Sequence, residues 1–385
     1  MYEKKRRYNR ICLYGVGFLC LALAFFLCSG KAPGMGRAPS RYAVGVRSLA
    51  VITQDNARLG VMVWYPTARS SASYHTSFGT WVMRAEKNVA PARLVAPVIL
   101  ISHDMVDTNL SYHEIASALA SAGFIVIAPS HSGDSMENAG AAYSAAALYY
   151  RPLQMHEALG AVLGEPDFAG LPDTQRVGLL GSGSGALTVL QLCGVDLDYA
   201  SYARYCESAW NDEALCSSWA RSRLQRLQPD MAEIRARHGR EAFVAPLRNV
   251  KALGVLSPGW LGLAGKNDVA SLQVPLAALF AGQGGLYPPV TSGEDVLALF
   301  PRPLYESINY QVLGEADHFS LRSECPQELL RDIPGLCGRL SGSERNKLRE
   351  KRDAYFVSFF QAALGVPLPA PPRASEPGRA APAGS

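Results

Sequence analysis

Outside its first thirty residues this chain of 385 carries no net charge. With Glu3 and the five cations Lys4, Lys5, Arg6, Arg7 and Arg10 set aside, basic and acidic residues are equal in number. That balance argues against nucleic acid as a partner, because phosphate binding needs a clustered basic surface. Internal repeats are absent. Metal-ligand spacing is lacking too: His103, Asp104, Asp107, His113, His131 and Asp134 are close in sequence but follow no ligand pattern. They read as solvated loop residues, and no metal or cofactor is expected. Cysteine is sparse, with five residues beyond the head: Cys193, Cys206, Cys216, Cys325 and Cys337.

What is present starts with an export signal. A basic head is followed by the uncharged apolar run Ile11–Cys28, then Ser29, Gly30 and a Pro/Gly-rich stretch. The run is long for a signal core and just long enough to span a bilayer. Cleavage after Gly30 and retention as a membrane anchor both stay open. In either case the basic head remains cytoplasmic and the body is translocated to the periplasm or an equivalent exterior. A lipoprotein reading of Cys28 is disfavoured by the bulky Leu27 before it. An oxidising compartment permits disulfides, and Cys206–Cys216 and Cys325–Cys337 are the simplest pairs. Each closes a loop of about ten residues, worth roughly 2–3 kcal/mol. Cys193, in an apolar stretch, is left as a buried free thiol.

Residues 1–30 are thus excluded from the fold, 31–43 read as linker, and 367–385 as a disordered Pro/Ala/Gly-rich tail. Between them, short apolar strands alternate with helices. Val44–Thr53 and Leu59–Tyr65 form a hairpin. Strands follow at Val98–Ser102, Phe124–Ala128, Val177–Leu180, Ala252–Leu256, Val274–Ala281 and Tyr310–Leu313. Helices are expected over Tyr112–Ala122, Pro152–Leu163, Gly185–Cys193 and Glu344–Leu364. This alternation indicates a mostly parallel sheet buried on both faces. Residues 197–247 interrupt it with a polar, Arg- and Tyr-rich helical insertion, read as a cap over the C-terminal strand ends.

After the strand Val177–Leu180 comes Gly181-Ser182-Gly183-Ser184-Gly185-Ala186. Strand, tight glycine-rich turn and apolar helix are the setting of a nucleophile elbow. The landmarks around it are Trp64-Tyr65-Pro66, Ser102-His103, Ala128-Pro129-Ser130-His131, Arg151-Pro152, Phe168-Ala169-Gly170-Leu171, Arg176-Val177-Gly178 and Asp317-His318-Phe319. In this order they resemble the secreted dienelactone-hydrolase-like esterases related to platelet-activating-factor acetylhydrolase, over residues 44–364. The resemblance implies one α/β-hydrolase domain over 44–366 and a carboxylic-ester hydrolase ancestry.

The same register shows what the chain lacks. The family's elbow serine falls on Gly183, and neither Ser182 nor Ser184 lies between two glycines in the required spacing. The family's acid, which would orient the base, falls on Gly285, with Asp268 and Glu294 displaced from it. The glycine-rich oxyanion loop falls on His103-Asp104-Met105-Val106-Asp107, where two carboxylates would repel a developing oxyanion. Only His318 stands in place. The leading reading is a catalytically degenerate member that binds a small ester or lipid-like ligand or contacts an envelope protein. The alternative is a serine esterase using Ser184 as nucleophile and His318 as base. Gly181, Gly183 and Ala186 also fit a dinucleotide fingerprint, but after the fifth strand of a series rather than the first.

Overall fold

A computed structural model describes residues 42–54, 56–68, 75–208, 211–238 and 246–367. The apolar run Ile11–Cys28 and the tail from 368 lie outside the described residues. Among the described residues no helix is long and apolar enough to cross a membrane.

The backbone of the body is a nine-stranded sheet. Its strands are β1 (Ala43–Ile52), β2 (Arg58–Thr67), β5 (Glu86–Lys87), β6 (Ala96–Ser102), β7 (Ile125–Ser130), β8 (Pro172–Ser182), β9 (Val250–Leu256), β10 (Leu276–Ala281) and β11 (Asn309–Leu313), while β3 (Thr76–Phe78) and β4 (Trp81–Met83) form a separate pair. The order across the sheet is β11-β10-β9-β8-β6-β7-β2-β1-β5. β1 and β2 pair antiparallel, as does β2 with β7, and every neighbour from β7 to β11 is parallel. All seven residues of β6 are buried, as expected of a strand covered on both faces. Along β9, Leu253 and Val255 enter one apolar layer while Ala252 and Leu256 enter the other. The fold expected from the alternation is the fold observed, and the element limits differ mostly by a few residues.

One helix departs further. Pro152 suggests a start, because proline suits the first turn, yet the helix runs Ala145–Gly164 with Pro152 inside it. Ser144 caps it by accepting the Ala147 N–H. Proline has no N–H to give the carbonyl four residues back. That carbonyl, Leu148 O, is met instead by Gln191 Nε2 at 3.2 Å. A side chain from the elbow helix thus repairs the bond that Pro152 removes, which local sequence could not foretell.

The insertion folds as helices Tyr199–Ser208, Glu213–Cys216, Ser218–Leu224 and Leu227–His238. Cys206 and Cys216 are bonded, as are Cys325 and Cys337. Arg221 ties the first bridge by donating to the carbonyls of Cys206 and Cys216, each at 2.7 Å. Cys193 is free and only partly buried, and its burial pushes the thiol up to about 12. The insertion meets the body at Trp219, whose ring lies 4.5 Å from that of Tyr143, itself 4.9 Å from Trp260.

Candidate active site

β8 ends in the elbow. Gly183 has φ +54°, the left-handed conformation the turn demands. Its N–H donates to Leu256 O (3.1 Å), and its carbonyl accepts from Gly259 N–H (2.9 Å). Gly183 is therefore at the apex of the turn, and the helix Gly185–Leu192 starts directly after it. A Cβ added to Gly183 would collide with the carboxyl group of Asp104. The volume of the missing side chain is filled by a residue from the loop after β6.

Asp104 is held from every side. Its Oδ1 accepts the N–H of Met105, the N–H of Ser184 and the hydroxyl of Tyr287, each at 2.7 Å. Its Oδ2 lies 2.9 Å from Nε2 of His318, with both side chains at most 2% exposed. The imidazole N–H is not well lined up along that vector, so this is a close contact rather than a directed hydrogen bond. Burial by itself would raise the Asp104 carboxyl. The His318 ring, the Tyr287 hydroxyl and the Ser184 N–H outweigh it and hold the group well below the usual carboxylate range. The backbone N–H after the elbow apex, which in an esterase would meet the oxyanion, is thus already occupied by an anion.

The other ring nitrogen of His318, Nδ1, lies 3.0 Å from Ser257 Oγ. Ser257 follows β9 and has φ +41°. Gly285, where an acid is expected, does adjoin His318, since its Cβ would lie 3.4 Å from His318 N. Gly285 thus lies beside the backbone of His318, and the group at the ring's Nδ1 is Ser257. Nothing in Leu256-Ser257-Pro258-Gly259 marks that serine in the sequence. Ser184 opens the elbow helix with its Oγ buried and without a hydrogen-bond partner. The tertiary structure joins the backbone of Ser184 to the site through Asp104.

The six clustered His and Asp residues are not solvated, which corrects that expectation: each is at most 5% exposed. Asp107 turns away from the elbow to accept from Thr108 N, Ser111 Oγ and Tyr112 hydroxyl and to pair with Arg322 (3.2 Å). His103 Nε2 accepts the His131 N–H (2.8 Å), so Nδ1 carries the proton given to Asp104 O (2.6 Å). His131 sits between Ser102 Oγ (2.9 Å) and Gln154 Oε1 (3.0 Å). Arg151 binds Asp134 (2.7 Å), Thr188 Oγ1 (3.1 Å) and the carbonyl of His103. This network fixes the loop that delivers Asp104. Hydrophobic contacts could not do so, because they are not directional. Among the described residues no three His, Cys, Asp or Glu side chains are placed to hold a metal ion.

Burial of the histidines has a consequence for acid stability. His113 is driven down to about 4, first by desolvation and then by Arg352, Arg345 and Arg349, against the opposing pull of Glu114. Its unfolded value is about 6.5. The stability it contributes is present above about 6.5 and is lost as pH falls toward 4, because the unfolded chain takes up the proton first. A shift of that size corresponds to roughly 3 kcal/mol. Urea unfolding of His113→Asn should therefore depend less on pH between about 6.5 and 4 than unfolding of the parent; identical slopes would contradict it.

The mostly parallel sheet, its strand order and its flanking helices define an α/β-hydrolase-fold protein. Among solved structures the chain is similar to a ferulic acid esterase from Streptomyces cinnamoneus, at 14% identity and TM-score 0.55, covering 88% of this chain and 96% of that one. It is also similar to an acylaminoacyl peptidase from Pyrococcus horikoshii, at 13% identity and TM-score 0.44, covering 84% of this chain and 42% of that one. No family model and no curated protein matches the sequence.

Proposed function

We propose that this is an exported member of the hydrolase fold, architecturally close to the dienelactone-hydrolase-like and platelet-activating-factor-acetylhydrolase-like esterases. Its elbow no longer performs acyl transfer, and it acts by binding a small ester or lipid-like ligand. The observation that carries the reading is the Asp104 carboxylate, which fills the side-chain space of Gly183 and takes the N–H of Ser184. One group thereby removes both the nucleophile's room and an oxyanion donor. Loss of either alone costs orders of magnitude in rate. The two disulfides support an oxidising compartment.

Beside the insertion is a small, mostly apolar pocket lined by Leu190, Tyr205, Leu261, Lys266, Val269 and Phe300; at about 20 Å³ it admits a short acyl chain only if these side chains move apart. The test has two parts. The melting temperature of the purified body should rise in millimolar 2-octanone, a non-hydrolysable stand-in for a short ester. Any hydrolysis of p-nitrophenyl acetate should not depend on the Ser184 hydroxyl. An unmoved melting temperature would defeat the binding reading, and abolition of hydrolysis by Ser184→Ala would restore the serine elbow.

A further inference from the structure

The residues around His318 contain all three members of a serine–histidine–aspartate triad, but with two of them exchanged. The aspartate stands at the elbow, where a serine is expected. The serine stands on the far side of the ring, where an acid is expected. We propose that Ser257 is a nucleophile, with His318 Nδ1 as its base and Asp104 as the residue that positions His318. This goes beyond the binding reading above and rests on its claim that the elbow itself is silent.

The tautomer follows from the contacts. Asp104 is ionised and can only accept, so the ring nitrogen facing it must carry the proton. That nitrogen is Nε2, 2.9 Å from Oδ2. In the neutral ring Nδ1 then has a free lone pair, and Ser257 Oγ at 3.0 Å is placed to donate its proton there. The distances from Ser257 Oγ to Nδ1 and from Nε2 to Asp104 Oδ2 are those of a triad, while the Nε2–H is not aligned on the carboxylate in the resting site. Asp104 holds the ring and stabilises the imidazolium that forms, without itself taking the proton.

Two further observations single out Ser257. Its φ of +41° is a backbone conformation that non-glycine residues rarely adopt, and strain of this kind gathers at functional sites. It is also the least buried of the three, 6% exposed where Asp104 and His318 are each 1%. The same turn carries Trp260, also at positive φ, whose indole Nε1–H is buried with no acceptor. It is a donor of the kind a developing oxyanion needs.

In the reaction, Ser257 Oγ bonds to the acyl carbon while its proton passes to His318 Nδ1. The bond to the leaving alkoxide breaks, and the alkoxide departs as an alcohol with that proton. Water then repeats the exchange on the acyl-serine, releasing acid and regenerating the hydroxyl. Short, unhindered carboxylic esters are the substrate class that so enclosed a serine would accept.

The test uses the purified protein and a small fluorophosphonate. Attack forms the Ser257 O–P bond and releases fluoride, with the serine proton again passing to His318. Mass spectrometry of the digested wild type should find the adduct on the Ser257 peptide. Asp104→Asn turns an amide N–H toward Nε2 and favours the other tautomer, so labelling should slow at least about a hundredfold, with the fold checked by circular dichroism. Ser257→Ala should abolish the adduct. An adduct on another serine, or none, overturns the proposal, as does an unchanged rate in Asp104→Asn. The 2-octanone measurement separates the two claims. No adduct with a retained thermal shift sinks the Ser257 nucleophile alone; loss of both also sinks the binding reading.

Discussion

Replacing Asp104 by alanine is expected to destabilise the protein by about 3–5 kcal/mol, the range reached when a buried hydrogen-bonded network is broken. The substitution strands four groups at once: the N–H of Met105, the N–H of Ser184, the Tyr287 hydroxyl and the His318 ring. Each buried donor left without an acceptor costs about 1–3 kcal/mol. The effects will not add fully, because the loop relaxes and a water can enter the space. Urea denaturation at neutral pH measures the loss. A change below about 1 kcal/mol would mean that the carboxylate is not the keystone described here. The same carboxylate should shape acid unfolding. Its folded value lies below the ordinary one. Its contribution is therefore intact above about 3.9 and is lost as pH falls from there through the lower folded value. Asp104→Asn should flatten that limb of the acid unfolding curve while leaving the higher limb assigned to His113.

The second expected result is a gain of reactivity by reconstruction. Gly183→Ser alone should fail, since the new Cβ meets the Asp104 carboxyl and the position keeps φ +54°. Removing the obstruction with Asp104→Gly frees both the space and the Ser184 N–H. Adding Ser257→Asp then places a carboxylate beside His318 Nδ1, which forces the tautomer with Nε2 free to act as base toward residue 183. Aspartate is among the residues that tolerate a positive φ such as that at 257. The triple variant should label with a fluorophosphonate at residue 183, on the order of a hundredfold faster than Gly183→Ser does, since one triad member is commonly worth orders of magnitude. Labelling no faster than in the single variant would show that the scaffold has drifted further than these three positions. The triple variant lacks Ser257, so any adduct it forms reports on the elbow alone.

The fold was legible in the chain because burial imposes a pattern. Strands covered on both faces, such as Val98–Ser102, must be largely apolar, and the intervening helices must repeat at their own period. That logic placed the sheet, and local pairing found both disulfides. The resemblance to the esterase family, rather than that logic, marked Gly183 and Gly285 as the positions where the family's serine and acid would fall. Three-dimensional neighbourhood is different. Asp104 read as a carboxylate that would repel an oxyanion. Its role as the group seated on Gly183 required knowing that the loop after β6 folds over the end of β8. Ser257 left no signal, because a serine before Pro-Gly is common and its meaning comes only from a histidine 61 positions later.

Sequence alone therefore determined the architecture, the order of its landmarks and the absence of a serine at the apex of the elbow. The first follows from residue type and periodicity along the chain, and the other two from the resemblance of its motifs to the esterase family. Tertiary structure alone decided what fills that absence. Which oxygen meets which ring nitrogen depends on contacts between loops far apart in sequence, held by a network of buried polar groups whose strength depends on direction and distance. The one-dimensional pattern carries neither.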